Sequence, residues 1–509
     1  MNLGEYFNAA VRRAPSAMAL VDHQVRWTYA DLGQEVQYIA SGLWASGLRP
    51  GDRAIVLLCN RREHVVIFWA CQQLGLVYIP VSCHFAPNDI AFCIKDTEPE
   101  ALFFDQSGEA TINALTESER KRLPDQVYTV GLGEQPPFKS YNTLRTPASD
   151  LFPPVSPSDQ AIAVMLYSSG VTGRPKGIPR SHANEISATL AYIIHNSYGQ
   201  YESTITVSLF SHVMGLRMLL AMLFLNGKLV LTPDDTATTY CAFILQEHIS
   251  SLYAFPKVYH DLLTEAVGDT LNSIKKITYG GAPMSEALLL QCLERFSFST
   301  FVNYFGSTEI YTYTTCSWVD RKPLCAGKAG INTQMRLVVP MNTTKITPDD
   351  EVRSGDVGEL IVKLSSPEAF CGYWNRPDLT AKAMRNGWFF TGDLGRMDSD
   401  GDLWVIGRVD DMVICGGEKI YPSEVEAVLR THPKVKEVAV VGIPDKRFGQ
   451  LLTAFIVPID ATLTARELEQ FCRGSHDLAD FKRPAKYRLL EELPRRGGKL
   501  LRRQLLHLG

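Results

Sequence analysis

A surplus of basic charge is missing from this 509-residue chain: 51 Lys and Arg stand against 55 Asp and Glu, a formal net charge of -4. Binding of polyanions in general needs a clear basic excess or a long basic stripe, so nucleic acid is not expected as a partner. Long apolar runs are scarce too. The opening stretch MNLGEYFNAAVRRAPSAMAL has no apolar segment after its charged residues of the kind a secretory signal carries, and a cytoplasmic protein is expected. The longest apolar stretch, Val213 to Leu231, is interrupted by Arg217 and by the turn pair Asn226-Gly227. It predicts a helix followed by a strand and not a membrane span.

The eleven cysteines include no C-x-x-C pair and the eleven histidines no H-E-x-x-H. Neither a zinc site nor a disulfide framework is suggested, and reduced thiols are expected. Any metal is then an oxygen-bound ion such as Mg²⁺. Internal repeats and low-complexity tracts are absent as well.

What the chain does contain is the βαβ rhythm of a parallel sheet. Leu32, Val36, Ile39, Ala40 and Leu43 fall at helical spacing, and after a turn come the strand AIVLLC, Ala54 to Cys59, a helix after Arg61 and the strand VYIPVS from Val77. A helix from Pro87 and the strand ALFFD from Ala101 continue the series. From about Arg336 short strands bounded by Gly and Asp (RLVV, GELIVKL, GDLWVIGR) predict an antiparallel or barrel-like subdomain. Beyond Arg408 a helix from Ser423, the strands EVAVVGI and LTAFIVP and a helix from Ala465 make a compact α+β unit. The expected domains are 1–409 and 410–509.

The most unusual local chemistry is LYSSGVTGRPKGIPRSH, from Leu166. Hydroxyls at Ser168, Ser169 and Thr172, glycines at 170, 173 and 177, and Lys176 suit phosphate. Glycines let backbone N–H groups converge, hydroxyls add donors and the lysine adds a point charge. A Walker A loop requires G-x-x-x-x-G-K-[ST] running into a helix. Here Pro175 precedes the lysine and Gly177 follows it, which disfavours that loop.

The segment instead resembles the phosphate loop of adenylate-forming enzymes, Y-[TS]-S-G-[TS]-T-G-x-P-K-G, with Val171 at a hydroxyl position. Further motifs follow in that superfamily's order: SLFSHVMG, TYGGAP, NYFGSTE, WFFTGDLG, GRVDDMVICGGEKIYPSEVE and a terminal GGKLLRR. End to end, the chain resembles the superfamily that includes acyl- and aryl-CoA ligases, luciferases and peptide-synthetase adenylation domains. Its nearest likeness is to benzoate and 4-chlorobenzoate CoA ligases. The resemblance implies an α/β fold: a large N-terminal domain of helix-flanked sheets plus a β-barrel subdomain, with a small α+β C-terminal domain.

It also implies two half-reactions. A carboxylate attacks the α-phosphate of ATP to give acyl-AMP and pyrophosphate, and a thiol then attacks the activated carbonyl. In the first half an anion approaches an anion, so cations must neutralise developing charge. By the resemblance Lys499 supplies one, Thr308 bonds phosphate and Glu309 holds Mg²⁺, although a bare T-E pair is more often a helix cap. Ser168, Ser169, Gly170, Thr172, Gly173 and Lys176 cradle phosphate. Gly281, Ala282, Phe305 and Gly306 face the nucleotide, with Phe305 where the family commonly has Tyr. Asp393 and Arg408 take the ribose, and Asp410 is the hinge about which the small domain turns.

An α-amino-acid substrate needs a carboxylate for its ammonium, and none occurs between Ser208 and Leu231. The expected substrate is an aryl or small non-amino carboxylic acid. The implied acyl pocket comprises His212, Val213, Tyr253, Tyr279, Gly280, Tyr304 and Tyr311; outside the family match a lone His in an apolar run reads as a core histidine. The implied thiol contacts are Gly416, Gly417, Glu418, Phe448, Phe481 and Arg483. Coenzyme A is the expected acceptor. The phosphopantetheine of an acyl carrier protein stays open, because GGEK and PRSH are shared with freestanding carrier-loading enzymes and His84 stands where the benzoate group uses Arg against CoA. A catalytically silent nucleotide-binding homologue is the second alternative, and a monomer or homodimer is expected. One departure concerns Lys499 itself: four residues separate it from Pro494, one fewer than the family's P-[RK]-x-x-x-G-K spacing.

Overall fold

The computed structural model describes the chain except residues 134, 146–154, 169–173, 233, 341–345, 416–417, 446, 476–477, 497–498 and 509, and except the side chains of Lys419, Arg496 and Lys499. Two compact units emerge, Met1–Gln334 with Lys363–Gly387, and Met335–Val362 with Trp388–Gly509.

The first unit is built on two sheets. In the seven-stranded sheet, Arg53–Leu57 lies between Val77–Pro80 and Ala101–Phe104, all parallel. Apart from Arg53 at the start of the first, these strands are apolar and buried on both faces, as expected where helices cover a parallel sheet. The helix Arg62–Leu74 buries ten of its thirteen residues, and the C-cap Gly75 adopts φ 68° to stop it. The second sheet has nine strands and a parallel centre, in which Ser251–Ala254, Lys276–Gly280 and Thr300–Phe305 run side by side. As predicted, Val213–Phe224 is a helix and Lys228–Leu231 a strand. No helix among the described residues is long and apolar enough to cross a membrane.

One strand stops earlier than its composition predicts. AIVLLC was expected to run to Cys59, but the ladder ends at Leu57. The Cys59 N–H is drawn to Asp105 Oδ2 at 3.1 Å and its carbonyl to His64 Nδ1 at 3.0 Å, so a side chain on each side replaces the neighbouring strand. Because Nδ1–H donates to that carbonyl, Nε2 of the neutral ring accepts from the Tyr78 hydroxyl. Burial lowers the His64 pKa from 6.5 to about 4. The neutral ring is therefore favoured by folding. Its contribution to stability is complete above the unfolded pKa of 6.5 and is lost as pH falls toward 4. Urea unfolding at pH 7 and pH 5 is expected to show a drop for the native chain and a smaller one for His64→Gln. Equal drops would mean that other groups cause the loss.

In the second unit the short strands after 335 form a five-stranded sheet, with Met335–Val338 antiparallel to Val357–Lys363 and Trp388–Met397 antiparallel to Leu403–Arg408. Another five-stranded sheet follows, dominated by the antiparallel pair Val435–Asp445 and Gly449–Pro458. The helices Pro422–Arg430 and Ala465–Gly474 cover it, burying Val425, Leu429, Leu468 and Cys472 against Val438, Val440, Leu452 and Ile456.

Candidate active site

In open α/β sheets ligands gather beyond the carboxyl ends of parallel strands; Gly281 and Ala282 follow one such strand, Lys276–Gly280, and Gly306, Thr308 and Glu309 follow another, Thr300–Phe305. The strand Ile162–Ser168 turns back antiparallel as Lys176–Ser181, which sets Ser168 opposite Lys176. Ser169, Gly170, Thr172 and Gly173 lie outside the described residues. The Lys176 ammonium stands 4.8 Å from the centroid of the Tyr373 ring, and the Tyr373 hydroxyl donates to Glu309 Oε1 at 2.7 Å. One tyrosine thus joins the lysine of the phosphate loop to the carboxylate of GSTE.

Thr308 and Glu309 cap no helix. They follow the strand Thr300–Phe305 in a turn in which Ser307 Oγ accepts the Glu309 N–H at 3.2 Å and the Tyr313 hydroxyl at 2.7 Å. The turn is tight enough to exclude a side chain at Gly306, where a Cβ would lie 2.0 Å from the Tyr311 carbonyl oxygen. Arg180, from the returning strand of the phosphate hairpin, reaches the other side. Its guanidinium donates to the carbonyls of Thr308 at 3.4 Å, Glu309 at 3.2 Å and Glu368 at 3.0 Å, and it pairs with Glu185. Both side chains of that ion pair are 0% exposed. The segment from Glu368 to Tyr373 is therefore fastened to Glu309 three times, through Arg180, through the Phe370 N–H on the Glu309 carbonyl at 3.0 Å and through the Tyr373 phenol.

Of the expected acyl-pocket residues, Tyr253, Tyr279, Tyr304 and Tyr311 are all buried. Arg217, from the helix Val213–Phe224, lies 4.6 Å from the Tyr304 ring centre and 4.9 Å from that of Tyr311. Its charge is matched by Glu368 at 3.6 Å, and Arg180 covers the Tyr311 ring at 3.6 Å. Two arginines and two glutamates thus neutralise one another around these rings. Tyr304 also shares a 2.6 Å hydrogen bond with Thr312 Oγ1. Gly280 ends a central strand, while Gly281 and Ala282 are exposed just past it, Gly281 at φ 75°. His212 is not a core histidine. It is exposed, its Nδ1 accepts the Met214 N–H at 3.2 Å as cap of the helix that Val213 begins, and its ring meets the Phe255 edge.

In the second unit Asp393 and Arg408 face each other across the antiparallel pair Trp388–Met397 and Leu403–Arg408. Arg408 donates to Asp393 Oδ1 at 2.6 Å and to the Thr391 carbonyl at 3.1 Å. Asp410 follows, exposed, in the single turn Val409–Asp411, of which Val409 is buried. Glu418 and Gly449, the residue after Phe448, flank Cys415 from opposite sides, Cys415 pairing with Glu418 on one strand and Gly449 on the other. Gly416 and Gly417 lie outside the described residues. Phe448 and Phe481 expose their rings, and Arg483 pairs with Asp480 at 2.6 Å. Near the end of the chain, Arg495–Arg496 pairs with Lys499–Leu500, with Arg496 opposite Lys499. Only residues 497–498 intervene, and they lie outside the described residues. Arg502 anchors this segment through Glu426 at 2.5 Å, the Val440 carbonyl at 2.8 Å and Asp411 at 3.4 Å.

The sequence profile of the AMP-binding enzyme matches residues 7–374, and that of the AMP-binding enzyme C-terminal domain matches residues 424–499. The chain belongs to the AMP-binding enzyme family. Relatives match over nearly the whole length of this family member. A feruloyl-CoA synthase of an Amycolatopsis species is 30% identical, covering 98% of this chain and 97% of the relative. The 2-succinylbenzoate–CoA ligase of Bacillus subtilis is 30% identical over 99% and 98%. Among solved structures, the O-succinylbenzoate coenzyme A synthetase of Bacillus subtilis in complex with ATP and magnesium ion superposes with a TM-score of 0.85 at 27% identity, covering 98% of each chain. ATP-bound MatB of Rhodopseudomonas palustris gives 0.87 at 27% identity, covering 100% and 99%. This AMP-binding enzyme is an AMP-forming acid–CoA ligase of the adenylate-forming superfamily.

Three side chains at these sites escape a reading of the sequence by motif alone. Arg180 lies inside PRSH, already in view, yet nothing in the linear order ties it to residues 128 positions later. Tyr373 sits in CGYW, about sixty residues past Glu309, and only folding brings its phenol to that carboxylate. Glu368 looks like a surface acid in a loop but is fully buried, bonded to Asn332 at 3.1 Å.

Proposed function

We propose that the acid is an aryl or small carboxylic acid without an α-ammonium group. One observation carries this reading: the two buried acids beside the tyrosines, Glu185 and Glu368, already have arginine partners, and the segment from Ser208 to Leu231 contains no acid. A substrate ammonium placed there would meet two guanidinium groups and no uncommitted carboxylate. Aromatic rings suit an aryl acid, and similar proteins named for feruloyl, 2-succinylbenzoate and indoleacetate favour the same class.

In this reading Lys176 and Thr308 bind phosphate, Asp393 accepts from the ribose hydroxyls and Arg408 holds Asp393 toward the sugar. Glu309 suits Mg²⁺: it is a half-buried hard oxygen donor, and one of its two oxygens is already oriented by Tyr373. When bound, that ion neutralises charge on the phosphate oxygens. Lys499 brings a cation to the reacting carboxylate and α-phosphate, and Asp410 is the point at which the backbone turns between half-reactions. Glu418, Phe448, Phe481 and Arg483 then contact the thiol donor, with CoA as acceptor.

The deciding experiment is ATP–pyrophosphate exchange with a panel of aryl, short aliphatic and α-amino acids, followed by CoA or a holo carrier protein. Exchange is expected with an aryl or small acid and not with amino acids. Exchange with amino acids alone would overturn the substrate class, and faster acyl transfer to the carrier protein than to CoA would move the assignment to a carrier-loading enzyme. No exchange with any acid would indicate a silent homologue.

A smaller effect concerns the phenol. Tyr373→Phe keeps the ring beneath Lys176 and removes the donor to Glu309, so the Mg²⁺ concentration for half-maximal exchange is expected to rise about ten- to a hundredfold, the worth of one hydrogen bond to a charged group. The KM for the acid should not change. A shift in the acid KM without one in Mg²⁺ dependence would argue against the role.

A further inference from the structure

Two cysteines take no part in the chemistry above. Cys59 and Cys83 lie just past the carboxyl ends of the neighbouring parallel strands Arg53–Leu57 and Val77–Pro80, and their Sγ atoms are 3.9 Å apart. Cys59 is exposed and Cys83 partly so, whereas six of the other nine cysteines are buried. Bond formation requires the sulfurs to close from this distance to about 2.05 Å.

Their surroundings divide the labour between them. The Cys83 thiol hydrogen-bonds the Cys59 sulfur and lowers its pKa, with help from the Ser107 hydroxyl, while burial and the carboxylates of Asp105 and Asp235 oppose. The same hydrogen bond, with burial, pushes Cys83 up. Cys59, the more exposed of the two, is thus the thiol an incoming disulfide reaches first and Cys83 the one placed to resolve.

The position of Cys59 is also felt elsewhere. The next residue, Asn60, clamps the segment SLFSHVMG: its Nδ2 donates to the Ser208 carbonyl at 2.8 Å and its Oδ1 accepts the Phe210 N–H at 3.0 Å. Phe210 in turn rests edge-on against His64, whose Nδ1 holds the Cys59 carbonyl.

We propose that Cys59 and Cys83 form a dithiol switch that reacts with low-molecular-weight disulfides, and that its closure weakens acid binding through Asn60. The second half rests on the assignment of SLFSHVMG to the acid site. The Cys59 thiolate attacks one sulfur of the disulfide RSSR, forming Cys59–S–S–R and releasing RS⁻. Cys83 gives up its proton to solvent and attacks Cys59 Sγ, forming the intramolecular disulfide and expelling the second RS⁻, and the two RS⁻ take up protons. Two protein thiols are oxidised by two electrons and one RSSR is reduced to two RSH.

The test uses the full-length enzyme incubated with glutathione disulfide, followed by thiol counting, intact mass and exchange kinetics. Expected are the loss of two thiols with no added group, reversal by dithiothreitol, and a rise in the KM for the acid of about three- to tenfold with the KM for ATP unchanged. Cys83→Ser should stop at one glutathionyl group on Cys59, and Cys59→Ser should lose neither thiol nor activity. Retention of all thiols by the native chain, or the same adduct in Cys59→Ser, overturns the switch. Closure with an unchanged acid KM overturns the coupling. His212→Ala, assayed reduced, tests the acid-site assignment separately: an unchanged acid KM there refutes that assignment and leaves the thiol measurement standing.

Discussion

Lys499→Ala is expected to slow acyl-AMP formation by about 10²–10³ while thioester formation from supplied acyl-AMP keeps most of its rate. The asymmetry follows from where charge develops. Only in the first half-reaction does a carboxylate approach a phosphoryl group, so only there does a cation relieve repulsion between two anions. In the second half the nucleophile is a thiol and the leaving group is AMP, and other residues serve. Single-turnover assays started with ATP plus acid, or with synthetic acyl-AMP plus CoA, separate the two. Equal losses in both would remove Lys499 from its role. The hairpin that carries Lys499 is short, and Arg502 ties its far end to Glu426 and Asp411. Arg502→Met should reproduce part of the same asymmetric loss, because the lysine keeps its charge and loses its anchorage.

Arg180→Met is expected to act on stability and on chemistry together. It leaves Glu185 as a buried carboxylate without its guanidinium, and breaking a buried pair in this way costs about 3–5 kcal/mol, read as a lower urea midpoint. It also takes the guanidinium donor away from the carbonyls of Thr308 and Glu309, the latter keeping the Phe370 N–H, so adenylation should fall and the Mg²⁺ requirement should rise. The two consequences part in the double variant Arg180→Met/Glu185→Leu. Replacing both partners by apolar groups removes the stranded charge and should recover most of the stability, yet it does not restore the guanidinium donor to the Thr308 and Glu309 carbonyls. Recovery of normal Mg²⁺ dependence along with stability would mean that Arg180 only supports the fold.

Much of the fold is legible in the linear pattern because its signals are local. Apolar four-residue strands such as Ala101–Phe104 and the polar break at Asn226-Gly227 act within a few residues, and both appear where the pattern places them. The strand that was expected to reach Cys59 is different. Its end is set by Asp105 and His64, which compete for the backbone groups from elsewhere in the fold. His212 differs for a similar reason: its apolar neighbours suggest a core position, but the ring caps a helix and stays exposed.

By itself the sequence determined that this is an AMP-binding enzyme, what kind of fold it adopts and which residues are candidates for its chemistry, since loop glycines, hydroxyls and charged residues at fixed spacing carry that chemistry wherever the chain places them. Tertiary structure alone decided how Glu309 is held, because Arg180 and Tyr373 come from segments about 130 and 60 residues away, and no local signal encodes a meeting across that separation. It also decided that Glu185 and Glu368 are spent on arginines and not left for a substrate, since a buried acid and an exposed one look the same in the chain. The closeness of Cys59 to Cys83 arises likewise from two parallel strands ending side by side, a relation set by sheet order and register.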